Sequence, residues 1–237
     1  MSERLSLRGA RRTFGPQAGL LGLDLHVAAG EIHALAGLNG AGKTTLMRAA
    51  LGMLRLDSGE VRIDNRLLDE LPATAWRRVG HLVEQPFAYP ELATRTNLQL
   101  AARLRGRDLD CAEAVLAELD LERYAAVPAR KLSQGNRQRL GLAVALQHEP
   151  GLIILDEPTN ALDPAGVLLL RRVLQRRANG GAGILVSSHH LDEVARIADR
   201  ISVLNRGRIV GSLDPAGQEL ERAFFELVRA DDESRRS

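Results

Sequence analysis

"ALAGLNGAGKTTLMRAALG", residues 34–52, decides the fold. Gly37, Gly40, Gly42 and Lys43 crowd together after a short apolar run and before an amphipathic one. The chain has two lysines, Lys43 and Lys131; all its other Lys/Arg positions are arginine. Gly37-x-x-x-x-Gly42-Lys43-Thr44 is the spacing of a phosphate-binding P-loop. It also has the context that pattern needs, between a predicted strand at 31–36 and a predicted helix at 43–53. Glycines let the backbone curl until successive N–H groups point inward at an anion. The helix start adds its positive end. Asn39, Gly40, Ala41, Gly42, Lys43, Thr44 and Thr45 are therefore candidate nucleotide-phosphate contacts. Lys43 suits the β/γ oxygens as a compact charge, and the Thr44 hydroxyl suits Mg²⁺.

The rest of the composition narrows the class. A chain of 237 residues, 45% hydrophobic and 26% charged, can bury one large core. Thirty-two basic against 30 acidic residues leave a formal charge of +2, too balanced for a nucleic-acid binder. A lone Cys111 excludes an internal disulfide and fits a reducing compartment. The start, MSERLSLRGARR, lacks the apolar centre of a signal peptide, and no apolar run nears the ~18 residues of a membrane span. Work at a membrane would need a partner.

Strand-like runs fall at 5–7, 21–27, 31–36, 61–64, 79–83, 152–155, 184–188, 201–205 and 208–210. Helical patterns fall at 43–53, 94–105, 111–119, 134–147, 164–177, 191–198 and 218–228. The alternation predicts an α/β fold: a P-loop NTPase core with a parallel sheet, an N-terminal antiparallel β portion and a helical subdomain inserted at about 88–149. Residues 1–230 are expected to form a single domain, and 231–237 a charged, frayed tail.

"GLIILDEPTN", 151–160, bears on cleavage. An uninterrupted apolar run of strand length suits a strand covered on both faces. Asp156 and Glu157 follow at its C-terminal end, where α/β sheets place their ligands. Asp156 suits the Mg²⁺ shell, and Glu157 suits polarising an attacking water. An acid before Pro158 and Thr159 could also simply cap a turn.

"KLSQGNRQRLGLAVAL", 131–146, resembles the signature motif of ATP-binding cassette ATPases. The usual LSGGQ reads Leu132-Ser133-Gln134-Gly135-Asn136 here and keeps the serine and the second glycine. The resemblance implies that Ser133 and Gly135 close over ATP held by a second subunit, in a head-to-tail dimer with two sandwiched nucleotides. Ser133 as a plain helix N-cap is compatible with that role. Phe14, in "RRTFGP", matches the family's aromatic residue that stacks on adenine, or else is a core phenylalanine. Asp163, in Ala161-Leu162-Asp163, resembles the loop coupling the two ATP sites. "ILVSSHHLDEV", 184–194, resembles the strand bearing the switch histidine; His189 matches that slot, and the adjacent His190 leaves the register open. The motifs stand in family order over about 5–210.

One motif departs. Where the family places a glutamine that senses Mg²⁺ and moves with the membrane partner, "HLVEQPFAYPELATRTNL" offers Glu84, with Gln85 one later. A glutamate can ligate a cation but adds charge beside a triphosphate, so weaker or differently tuned hydrolysis is expected. This stretch resembles the branch that exports, or confers resistance to, peptide antibiotics. "LERAFFELV", 220–228, resembles the C-terminal end of exporter ATPases with separately encoded membrane subunits. The resemblance thus implies an ATP- and Mg²⁺-dependent ATPase on the inner face of the cell membrane. Its implied partners are a transmembrane permease and a second cassette, identical or not, with no nucleic acid. Phe87, Tyr89 and Leu92 are candidates for the permease-docking surface. Repair cassettes carry a long coiled coil and translation cassettes a second copy; this chain has neither. A soluble assembly ATPase remains the runner-up.

Overall fold

Apolar residues in strict alternation build the centre of the molecule. In the computed structural model, which describes residues 2–15, 18–86 and 88–235, strand β7 (Leu152–Leu155) is buried along its whole length. Ile153 and Leu155 face one apolar cluster, Leu152 and Ile154 the other. Strands β3 (Ile32–Ala36) and β8 (Gly183–Ser188) split in the same way, Ala34 and Val186 to one side, Leu35 and Leu185 to the other. Period-two alternation inside an all-apolar run is what a doubly covered strand produces. Each buried Leu, Ile or Val among them contributes roughly 1.5–3 kcal/mol.

These strands belong to a six-stranded sheet of order β10-β9-β3-β8-β7-β6, with β6 at Val79–Leu82, β9 at Arg200–Asn205 and β10 at Arg208–Leu213. All its pairings are parallel except β9 with β10. A second, antiparallel sheet runs β2-β1-β4-β5, from β1 (Glu3–Gly15), β2 (Ala18–Ala28), β4 (Ser58–Ile63) and β5 (Arg66–Leu67). Helix α1 (Lys43–Ala50) packs in the cluster shared by the two sheets, through Leu46 and Met47. The opposite face carries α2 (Thr94–Leu104), α3 (Asp110–Glu118), α4 (Gln134–Leu146) and α5 (Pro164–Asn179). Short α6 (Leu191–Ala195) and α7 (Leu220–Ser234) close the C-terminal side. Among the described residues, no helix is long and apolar enough to cross a membrane.

The expected mixed architecture is present, with differences at the margins. β1 spans thirteen residues rather than three because Arg8, Arg11 and Arg12 interrupt the apolar alternation along it. α6 stops three residues short of the pattern, at Ala195. Residues 231–234, read as part of a frayed tail, continue α7. Asp231 and Asp232 each accept a hydrogen bond from the Asn205 amide, at 2.8 and 3.0 Å, and Asp231 pairs with Arg235 one turn on. Residues 236–237 of that tail, and Phe87, lie outside the described residues.

Two glycines fasten the antiparallel sheet to the P-loop. A Cβ on Gly207 (φ +76°) would lie 1.9 Å from the Gly19 carbonyl oxygen. Gly207 in turn donates to the Ala41 carbonyl at 2.8 Å, and Leu21 donates to Gly207 at 2.9 Å. Neither position can carry a side chain, and the contact brings the β1–β2 hairpin against the loop.

Candidate active site

The P-loop begins where β3 ends. Gly37 is packed so tightly that a Cβ there would stand 2.7 Å from the Leu204 carbonyl oxygen. Gly40 (φ +81°) and Gly42 (φ +110°) take conformations other residues avoid, and Gly42 caps α1. The first-turn amides of α1 have no helical acceptor and are free for an anion. Lys43 is buried; its ammonium donates to the Gly37 carbonyl at 2.6 Å and stands 3.2 Å from Glu157 Oε1. Asn39 and Gly40 are exposed at the loop's crest, Ala41 is buried, and Thr45 is half-buried on α1.

Across the loop, β7 delivers its carboxylates as the sequence suggests. The Thr44 hydroxyl donates to Asp156 Oδ2 at 2.6 Å. Asp156 Oδ1 accepts from the Ser187 hydroxyl at 2.5 Å, and the same Ser187 oxygen accepts from the Glu157 N–H at 2.9 Å. Ser187, wholly buried on β8, thus fixes both acids. Glu157 adopts φ +47°, a strained setting that turns it to the same side as Asp156. Its Oε2 meets His189 Nδ1 at 2.8 Å. His190 makes no such contact; its N–H donates to Ser188 Oγ at 2.9 Å.

Other predicted residues stand further out. Phe14 is exposed, not core, at the hairpin tip, with the Arg12 guanidinium 5.3 Å from its ring centroid. That guanidinium is held by Asp57 at 2.8 Å. Thr13, through its N–H and hydroxyl, and then Arg12 hold the Asp57 carboxyl below the usual range. Ser133 caps α4, accepting from the Asn136 N–H at 3.2 Å. Among the described residues, neither Ser133 nor Gly135 bonds to the P-loop of its own chain. Gly135 instead abuts the next loop: a Cβ would sit 2.7 Å from the Ala161 carbonyl oxygen. Asp163 caps α5 through the Gly166 N–H and accepts from Arg139 at 2.8 Å, and these two partners lower its pKa. Glu84 (φ +71°) is ion-paired with Arg48, one turn along α1 from Thr44.

Gln85 lies in a groove of about 320 Å³ with Met53, Tyr89 and Leu104 on its rim. Leu92 sits half-buried in a local turn instead. Asn97, which the sequence reading missed, holds that turn: its amide donates to the carbonyls of Tyr89, Leu92 and Ala93, each at 3.1 Å. Ser187 was also missed, because only the pairing of β8 with β7 brings its hydroxyl to both acids.

Comparison with known proteins gives one consistent picture. The family model described as "ABC transporter" matches residues 20–160. The lantibiotic transport ATP-binding protein SrtF of Streptococcus pyogenes is 32% identical over 221 residues, covering 93% of this chain and 95% of SrtF. The bacitracin transport ATP-binding protein BcrA of Enterococcus faecalis is 40% identical over 190 residues, covering 79% of this chain and 62% of BcrA. A solved ATP-binding subunit of an ABC transporter superposes with TM-score 0.87 at 30% identity, covering 94% of this chain and 99% of that one. The dimeric, post-hydrolysis cassette MJ0796 bound to ADP and Pi superposes at 0.81 and 25% identity, covering 90% and 100%.

Proposed function

The chain belongs to the ABC transporter family as one of its ATP-binding subunits, and on that premise we propose that it hydrolyses ATP to drive export of a drug, a peptide antibiotic or a similar amphipathic compound. The observation that carries this reading is the Glu157 carboxylate held between Lys43 and His189, beside the Thr44–Asp156 pair. Phosphate oxygens entering the loop take the amides of residues 39–45 and draw Lys43 away from Glu157. The freed carboxylate, kept in place by His189, then orients water toward the γ-phosphorus and accepts its proton. His189 N–H groups can also contact the γ-phosphate. The close hydroxyl and carboxylate of Thr44 and Asp156 form a hard-oxygen pair that fits Mg²⁺, and Glu84, ion-paired with Arg48, is the further oxygen donor assigned to it. Magnesium bound there would neutralise charge on the β and γ oxygens.

Phe14 supplies the adenine platform. Exposed Ser133 and, beside it, Gly135 serve the ATP of a second cassette, identical or different, while Asp163 and Ala161 couple the two sites. Hydrolysis removes the γ-phosphate contacts and lets the pair open. The groove edged by Met53, Tyr89 and Leu104 receives a separately encoded transmembrane permease, which holds the cassette on the inner face of the membrane. Residues 1–230 act as one domain, with 88–149 as its moving helical part.

The test is twofold. Purified chain should release phosphate from ATP only with magnesium. It should also co-purify with the product of a neighbouring reading frame that has about six membrane spans. Magnesium-independent turnover, or co-purification with soluble proteins alone, would overturn the reading.

A further inference from the structure

A cleft of about 1370 Å³ opens at the edge of the core sheet opposite the P-loop. It lies where the strands begin: Arg78 precedes β6, Gly151 precedes β7 and Ala182 precedes β8. Seven arginines and three carboxylates line it, an excess of four positive charges. Arg176 and Arg177 are taken by Glu118 and Glu149, and Arg4 by Asp64. Among the described residues, the guanidiniums of Arg77, Arg78, Arg105 and Arg107 have no hydrogen bond or ion pair.

Arg105 is half-buried, and burial holds it below the usual arginine range. An uncompensated guanidinium out of water is costly, and evolution normally supplies it with a counter-charge. Arg105 and Arg107 also help burial push His148 down to about 4. Gln147, 4% exposed on the cleft wall, has an amide nitrogen without a partner. The cationic side chains come from both sides of a seam. Arg77 and Arg78 belong to the core edge, and Arg105 and Arg107 to the turn ending α2; Arg77 packs against Gly106 of that turn.

We propose that this cleft is a second anion site, which takes a phosphate-bearing ligand and ties the helical layer to the core sheet. Phosphate chemistry fits because its oxygens accept several guanidinium forks at once, and arginine is the side chain suited to that geometry. The site uses no residue assigned above to nucleotide, so it stands or falls apart from that reading.

The test uses the full chain saturated with Mg·ADP, so that the P-loop is occupied, and inorganic pyrophosphate as the calorimetric probe. We expect one further binding event, weakened at least about tenfold in R105Q/R107Q while ADP affinity is unchanged. Arg78→Gln, on the other side of the seam, should weaken it as well; circular dichroism confirms folding of each variant. Flotation with phosphatidylcholine vesicles, with and without phosphatidylglycerol, separates the sources. Arginine-dependent binding to the anionic vesicles assigns a lipid headgroup, and pyrophosphate binding without flotation assigns a soluble phosphate. No binding of either probe, or equal binding by parent and variants, overturns the site.

Discussion

The Lys43 ammonium stands 3.2 Å from Oε1 of Glu157, so the loop's cation and the acid facing the reaction hold each other before phosphate arrives. Both groups are largely withdrawn from solvent, with side-chain exposures of 7% and 18%. A triphosphate competes for Lys43 with more negative charge than one carboxylate can offer. In the proposed mechanism, binding releases Glu157 at the point where it is needed.

His189 holds the other oxygen of Glu157, at 2.8 Å. Replacing it with alanine leaves the loop and its amides intact but frees the carboxylate to swing. His189→Ala should lower kcat by about a hundredfold or more, with KM for ATP within about threefold. Steady-state phosphate release measures both, and an unchanged kcat would remove the role assigned to this histidine.

Glu84, proposed for the sensing slot that the resemblance fills with glutamine, carries one more negative charge, and Arg48 answers it. Glu84→Gln removes a carboxylate beside the triphosphate and leaves Arg48 unopposed. Hydrolysis should rise a few-fold, on the scale of an exposed pair worth up to about 1 kcal/mol, with ATP affinity kept. Equal rates in both proteins would show that this position does not tune turnover.

The loop between β3 and α1 and the two acids at the end of β7 were legible in residues 34–52 and 151–163, because phosphate chemistry constrains residue type and spacing together. A lysine after three glycines, and two acids after four apolar residues, survive without knowledge of the fold. Ser187 was not legible as a site residue: a serine in a strand reads as ordinary until β8 lies beside β7. Gly19 and Gly207 likewise look like turn residues until the hairpin meets the loop. The length of β1 was hidden by arginines whose partners, such as Asp57, are far away in sequence. The end of α7 was hidden because the acceptors for Asn205 look like a solvated charge run.

Acid should weaken the fold through two buried histidines. Burial drives His33 down to about 4, with its Nε2 against Ser202 Oγ at 2.8 Å, and drives His148 to a similar value. Above the unfolded value of about 6.5 both states are neutral and stability is complete. As pH falls from there toward about 4, the unfolded chain takes protons the folded one refuses, and stability is lost. The loss is on the order of 3 kcal/mol per histidine at most, about 2 of it by pH 5. Urea midpoints should fall between pH 7 and pH 5, and fall less in His33→Gln. The same drop in both proteins would contradict this origin.

The most direct measurement is made on Glu157→Gln, which keeps the shape of the side chain and removes its charge. With Mg·ATP, size-exclusion chromatography with light scattering should show this variant as a stable dimer holding one ATP per chain, with phosphate release near background. A variant that stays monomeric at saturating ATP, or one that hydrolyses at the parent rate, would contradict the account.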